Sequence, residues 1–222
     1  MRALAAFLLA FPALFSIMNP VGGALIFNGF TAHLAHADRL RVARRVGAYS
    51  LMILLGALWG GAYILNFFGV TLGALRIAGG AVVALSAWGL LTASDQHPDR
   101  SGHRVDSPAE NPLDMAFFPL TLPITAGPGT IAVAITLGAE RPASGIGLIE
   151  FFVGVTGAAA ANAALVWLSY GAADRMATAL SPTARTVLAR LVAFLLLCVG
   201  VQILVGGITD VFAHMPMPPV HR

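Results

Sequence analysis

The sequence contains little charge, a single cysteine and no lysine. Only 13 arginines and ten acidic residues occur among 222 residues, which is 10% of the chain, whereas soluble domains carry about 25% charged residues. So few charges cannot cover a soluble globule with polar side chains. The 58% content of hydrophobic residues also excludes a disordered chain. The composition therefore predicts an integral membrane protein, with the lipid bilayer as a partner.

The same shortages limit the chemistry that is available. Cys198 has no second cysteine for an intrachain disulfide, so cysteine usage does not identify the compartment. The net charge of +3 is divided among short loops and forms no basic face for nucleic acid. No acidic residue lies deep in an apolar run, and no nucleophile stands beside a base. The sequence thus predicts no enzyme activity, no nucleic-acid partner, no metal site and no cofactor.

Six apolar runs are long enough to cross a bilayer, whose hydrocarbon core of about 30 Å requires ~20 apolar residues in a helix. The third and sixth helices are expected to begin upstream of their runs. The reason is that the stems of Arg76 and Arg190 can lie along apolar surface while their guanidinium groups reach the interface. The sequence therefore predicts an all-α membrane protein with six transmembrane helices, at residues 3–30, 46–70, 77–94, 115–139, 151–173 and 191–209.

A polar connector divides the spans into two groups of three. Residues 94–112 are rich in Pro, Ser, Asp and His and lack apolar periodicity, so we expect a flexible loop. Because each half has an odd number of spans, the second half enters the membrane in the opposite orientation, as in many transporters. We predict a single transmembrane domain over residues 1–222 that consists of two inverted three-helix repeats, residues 1–93 and residues 113–214.

Arginines are distributed unequally between the two sides of these spans. Nine lie in or beside the loops that follow spans one, three and five, and four lie on the side that holds both termini. Cytoplasmic loops carry the excess of basic residues. The sequence therefore predicts that both termini lie outside the cytoplasm.

Two of the six spans are interrupted at corresponding places. The first contains NPVGG at residues 19–23, and the fourth contains PITAGPG at residues 123–129. Proline removes a backbone N–H and clashes with the preceding turn, and glycine costs about 1 kcal/mol in a helix interior. Unpaired backbone groups in hydrocarbon are tolerated only inside the protein or beside a wet cavity. We therefore predict broken helices 1 and 4 whose breaks meet inside the bundle.

Such breaks suit the binding of an anion. Proline is favoured at the first helical position, so Pro20 and Pro128 are each expected to begin a half-helix. Free N–H groups and the helix dipole at that end favour a carboxylate. Asn19, Thr121 and Thr125 would supply polar side chains nearby. The alternative is that these residues only kink packed spans.

Around these residues the sequence resembles the MarC family of six-span bacterial inner-membrane proteins. The resemblance covers essentially the whole chain and is most specific in span four. The matching stretches are NPVG at residues 19–22, LRIAGG at residues 75–80, FPLTLPITAGPG at residues 118–129 and VQILVGGI at residues 201–208.

The resemblance implies a protein of the bacterial inner membrane, related to transporters of glycine, alanine and similar neutral amino acids. Together with the arginine distribution, this location predicts that both termini are periplasmic. Carried over by motif, the implied substrate-binding residues are Asn19, Pro20, Gly22, Thr121, Thr125, Gly127 and Gly129.

The predicted function is therefore a secondary transporter of small neutral amino acids (glycine, alanine, serine or threonine) that works by alternating access. A proton or sodium ion is the candidate coupling ion, and a homo-oligomer is a candidate assembly. Two alternatives stay open at this point. One is a non-transporting membrane scaffold, and the other is an exporter or channel for another small solute.

Overall fold

The computed structural model describes residues 2–92, 113–142, 144–179 and 181–213, and the connector predicted at residues 94–112 lies outside them. Within the described residues every regular element is helical, and no β-strand occurs. The elements in chain order are α1 (Arg2–Met18), α2 (Pro20–Thr31), α3 (His36–Phe67), α4 (Leu72–Thr92), a 3₁₀ turn (Asp114–Ala116), the π segment (Phe117–Thr125), α5 (Pro128–Ala139), α6 (Ile146–Gly171), α7 (Ala173–Ala179) and α8 (Pro182–Ala213).

Five helical stretches are long and apolar enough to cross a bilayer, and a sixth results if one bent pair is counted as a single span. The bent pair consists of Asp114–Thr125 and Pro128–Ala139, which meet at an angle of 68°. The prediction of an all-α membrane protein with several spans is therefore confirmed. Both α4 and α8 begin upstream of Arg76 and Arg190, as the arginine stems led us to expect.

Large apolar side chains cover the outside of the helices. Leu8, Leu85 and Leu195 are each more than half exposed. A soluble protein rarely presents a continuous apolar surface of this kind. In a bilayer the same surface contacts lipid tails, so the exposure agrees with the low charge of the sequence.

Glycines allow several helix backbones to approach closely. A Cβ atom placed on Gly80 of α4 would lie 2.5 Å from the backbone nitrogen of Leu204 in α8. A Cβ atom placed on Gly207 of α8 would lie 2.7 Å from the backbone nitrogen of Ile77. Small residues at contacts between membrane helices have this role in general. The glycines of these two helices therefore fix the α4–α8 pair.

Two clusters of charged residues lie at opposite ends of the bundle. At the beginning of α3, Arg39 pairs with Asp174 of α7 and also donates from Nε to the carbonyl oxygen of Thr31, at 2.7 Å. Just beyond the end of α3, Arg76 of α4 pairs with Asp210 of α8 and with Glu140, the residue that follows α5. Each cluster thus joins the first half of the chain to the second half.

Candidate functional site

The first interruption is a single residue between α1 and α2. Asn19 has the left-handed conformation (φ 45°, ψ 65°), which few residues other than glycine and asparagine adopt readily. Its side-chain oxygen accepts a hydrogen bond from the backbone N–H of Gly22 at 3.0 Å. Pro20 occupies the first position of α2. Asn19 therefore caps the helix that Pro20 begins.

The second interruption is longer and more irregular. The backbone of the π segment is extended at Phe118 and Leu122, so its carbonyl groups are not paired in a regular ladder. The hydroxyl group of Thr121 donates to the carbonyl oxygen of Ala116, and that of Thr125 donates to the carbonyl oxygen of Leu120, each at 2.6 Å. Both threonines are buried. In this conformation they stabilise the irregular backbone.

The helix that follows the second interruption begins without a side-chain cap. Gly127 precedes α5 in an extended conformation, and Pro128 is the first helical residue. The next N–H groups, those of Gly129 and Thr130, belong to the first turn and have no acceptor within the helix. A Cβ atom on Gly129 would overlap Val83 of α4 and would lie 3.5 Å from Ile17 in the last turn of α1. The start of α5 therefore lies against α4 and beside the end of α1.

A residue outside the predicted set connects the two interruptions. Tyr170 of α6 is 1% exposed, and its hydroxyl oxygen lies 2.7 Å from the hydroxyl oxygen of Thr125. A Cβ atom on Gly23, in the first turn of α2, would overlap that tyrosine oxygen. The ring of Tyr170 also packs on Phe27, with 4.8 Å between the ring centroids. One phenol group thus touches α2 and the π segment together.

The predicted residues occupy three distinct positions. Asn19, Pro20 and Gly22 form the start of α2, and Gly127 and Gly129 form the start of α5. Gly129 lies near Ile17, so the start of α5 is close to the end of α1. Thr125 reaches the first turn of α2 through Tyr170. Thr121 lies one turn earlier, where it is bonded to Ala116.

Sequence reasoning missed Tyr170 because a tyrosine near the end of a span is ordinarily interpreted as an anchor at the membrane interface. The signal that could have identified it is weak. A tyrosine that is buried usually finds a hydrogen-bond partner, but the sequence alone does not reveal that this tyrosine is buried.

The surroundings of the interruptions carry little charge. The acidic residues that the structure describes lie near helix ends or in loops. Among the same residues, no group of three His, Cys, Asp or Glu side chains could hold a metal ion. Backbone N–H groups, hydroxyl groups and the Asn19 amide are therefore the polar groups that this region offers to a ligand.

An all-helical fold with long apolar spans and an apolar exterior defines a multi-pass integral membrane protein. Residues 4–212 match the MarC family integral membrane protein, so the chain belongs to the MarC family. The resemblance that the sequence motifs indicated is confirmed.

Similar proteins occur in bacteria and in an archaeon. The membrane protein YvbG of Bacillus subtilis (strain 168) is 33% identical over 202 residues, which cover 91% of this chain and 93% of that protein. The membrane protein MJ1677 of Methanocaldococcus jannaschii is 32% identical over 203 residues, covering 91% and 95%. The inner membrane protein MarC of Citrobacter koseri is 28% identical over 203 residues, covering 89% and 91%. No solved structure matches this chain.

Proposed function

We propose that this protein is a secondary transporter of small neutral amino acids. In this proposal the starts of α2 and α5 bind the substrate, and the two halves of the chain give access from alternate sides of the membrane. The observation that carries the proposal is the contact of both interruptions within the bundle. Tyr170 bonds to Thr125 and touches Gly23, and Ile17 lies near Gly129.

The pattern of helix packing supports an inverted repeat. In such a repeat α1 corresponds to the π segment, α2 to α5, α3 to α6, and α4 to α8. Exchanging the halves then turns the contact of α1 with α6 into that of the π segment with α3, and the contact of α2 with α6 into that of α5 with α3. All four pairs pack. The pairs α4–α8 and α3–α6 are each exchanged into themselves, and the contact of α1 with α5 is exchanged into that of the π segment with α2. These pairs also pack. Such self-consistency is expected of two repeats related by an axis in the membrane plane.

The two helix starts supply the recognition of a carboxylate. The first-turn N–H groups of Gly129 and Thr130 have no acceptor within α5, and the helix dipole adds partial positive charge at that end. The start of α2 adds a second partial positive charge nearby. Among the described residues acidic side chains lie away from this region, so the substrate ammonium group would be met by hydroxyl and carbonyl oxygens, with Thr125 and Tyr170 as the nearest side chains.

The crowding around the interruptions supports a small substrate. Added methyl groups on Gly23 and Gly129 would overlap Tyr170 and Val83 respectively. A Cβ atom on Gly127 would lie 2.6 Å from the carbonyl oxygen of Pro123. A site between such surfaces fits glycine, alanine, serine or threonine, and excludes large aromatic side chains.

The two clusters of ion pairs supply gates for alternating access. Arg39–Asp174 joins the halves at one end of the bundle, and Arg76 joins them through Asp210 and Glu140 at the other. With both clusters formed, the conformation described here corresponds to a closed state. We propose that a proton or sodium ion couples the opening of one gate to the closure of the other.

Uptake into proteoliposomes tests this function. Purified protein is expected to take up radiolabelled glycine, alanine, serine or threonine, in a saturable manner, under a proton or sodium gradient. Leucine and phenylalanine serve as large competitors and are expected to inhibit weakly. Folded protein that moves none of the four substrates under either gradient, or in exchange with internal substrate, would refute the proposal.

Cysteine labelling distinguishes a transporter from a membrane scaffold. Ala126 is buried between Thr125 and Gly127, and its replacement leaves the bond from Thr125 to Tyr170 intact. In a Cys198→Ala background, Ala126→Cys should react slowly with an aqueous thiol reagent, and substrate should protect it. A scaffold would leave this position unreactive, with or without amino acid.

The arginine distribution supports a periplasmic location for both termini. A periplasmic reporter enzyme that is fused to the C-terminus should then be active, and a cytoplasmic fluorescent reporter at the same point should be dark. The opposite result would reverse the orientation of the gates and leave the substrate site unchanged. A homo-oligomer stays a proposal that cross-linking in the membrane can test.

A further inference from the structure

A groove opens on the outer surface between α3 and α6, away from the interruptions. Its volume is about 800 Å³, which lies within the range of roughly 300–1,000 Å³ that is usual for ligand sites. Residues of both helices and of the loop before α6 line it, among them Trp59, Tyr63, Arg141, Phe152, Val153 and Gly157.

The apolar wall of the groove is held in place by specific contacts. The indole N–H of Trp59 donates to the hydroxyl oxygen of Thr156 at 3.1 Å. The rings of Trp59 and Phe152 lie with their centroids 4.7 Å apart. A tryptophan that is fixed at both its polar and its apolar faces loses little further freedom when a ligand binds. The groove is therefore a preformed site.

The mouth of the groove carries a cation. The guanidinium carbon of Arg141 lies 4.3 Å from the centroid of the Tyr63 ring. Within the described part of the chain Arg141 forms no ion pair, and the neighbouring Glu140 is paired with Arg76. Arginine forms bidentate hydrogen bonds with phosphate groups. The mouth thus complements an anionic group.

The depth of the groove matches one leaflet of a bilayer. Arg141 lies between α5 and α6, at the same end of the bundle as the end of α3, where a headgroup layer is expected. From the beginning of α6 at Ile146 to Gly157 the helix advances about 16 Å, at ~1.5 Å per residue. This is about half of a hydrocarbon core ~30 Å thick. A ligand with its charge at Arg141 would therefore extend an apolar tail to the middle of the membrane.

We propose that this groove binds an anionic phospholipid, with the phosphate on Arg141 and one acyl chain along Trp59, Phe152 and Gly157. The cation at the mouth and the apolar walls below it complement the phosphate and the acyl chain of a lipid. The apolar helix face of a second copy of the chain would cover the walls but would leave Arg141 without an anionic partner. The proposal is independent of transport.

Native mass spectrometry of the delipidated full chain tests the phosphate contact. Phosphatidylglycerol should bind with one tight site, and diacylglycerol with the same acyl chains should bind at least about tenfold more weakly. Arg141→Gln should weaken the binding of phosphatidylglycerol about tenfold, because one charge-assisted contact is lost. The matched control is Arg175→Gln, which removes an exposed arginine at the other end of the bundle and should leave the tight site unchanged.

A second pair of variants tests the apolar part of the groove. Val153 and Leu168 both lie on α6 and are 62% and 58% exposed, so tryptophan at either position should be tolerated by the fold. Val153→Trp should fill the groove and abolish the tight site, and Leu168→Trp should not. Retention of phosphatidylglycerol by both Arg141→Gln and Val153→Trp would overturn the proposal. Loss of an oligomer in Val153→Trp, with unchanged lipid binding, would instead identify the groove as an interface between copies.

Discussion

Removal of one hydroxyl group, in Tyr170→Phe, should make the region between the two interruptions more accessible to water. The hydroxyl group of Tyr170 is buried and bonded to Thr125 at 2.7 Å, and it lies against Gly23. If exposure of Ala126 requires the π segment to move away from α6, this bond must break whenever that position opens to water. The substitution keeps the ring and its packing on Phe27 and deletes only the bond.

The expected magnitude follows from the partners that remain. Thr125 still donates to the carbonyl oxygen of Leu120, so no buried donor is left unpaired by the change. The loss is then that of an ordinary buried hydrogen bond, with a net value of about 1 kcal/mol. If the free energy of the open state falls by that amount relative to the closed state, the population of the open state rises about fivefold while it is rare.

The assay is the labelling rate of Ala126→Cys, in a background that lacks Cys198. Tyr170→Phe should raise this rate about fivefold at constant reagent concentration. Tyr49→Phe is the matched control, because that tyrosine contacts Phe117 through its ring and no hydrogen bond of its hydroxyl group is seen among the described residues. A lower melting temperature with an unchanged labelling rate would refute the reasoning, since the hydroxyl group would then stabilise the fold without restraining an opening.

Three further predictions concern the helix starts and the gates. Asn19→Ala should lower the melting temperature more than Asn19→Gly, because alanine loses the cap and also disfavours the left-handed conformation by about 1–2 kcal/mol. Gly129→Ala should destabilise the fold by about 1–3 kcal/mol in chemical unfolding, and Val83→Ala in the same chain should restore stability by removing the overlap. Asp174→Asn should increase labelling of Ala126→Cys by an impermeant reagent from one side of the membrane only, whereas equal labelling from both sides would exclude a gate at Arg39.

The general architecture could be predicted from the sequence because it depends on composition and length. Apolar runs of about 20 residues favour transmembrane helices, because a helix satisfies its backbone groups within the segment when it lies in lipid. The left-handed residue at Asn19 was also predictable, because its causes are local, although Arg2–Thr31 still counts as one apolar span. Proline ends the helix that precedes it. Asparagine can both adopt a left-handed conformation and cap the first turn of the next helix.

The roles of individual polar side chains were harder to predict. Thr121 and Thr125 were expected to face a substrate, but in this conformation each bonds to a backbone carbonyl five residues earlier. Threonine hydroxyls commonly bond to nearby carbonyl groups in helices, and an irregular segment leaves more of these acceptors unpaired. The contact of Tyr170 with Thr125 spans 45 residues of sequence and depends on how α6 packs, which hydropathy does not specify.

Under the proposed mechanism, the positions of the two charged clusters, which would act as gates, and of Tyr170 constrain how transport proceeds. Arg39–Asp174 and Arg76–Asp210 each connect the first half of the chain to the second, at opposite ends, and Tyr170 connects α6 to both interruptions between them. Opening one gate frees the halves at one end only, so the other pair can act as the pivot. Separation of the halves at the centre must then part Gly23 from Tyr170, whereas the bond from Tyr170 to Thr125 lies within the second half and opens only if the π segment leaves α6. Under the proposed mechanism, a bound amino acid replaces the bond from Tyr170 to Thr125 with its own hydrogen bonds when the π segment moves, so substrate should favour passage between the two open states.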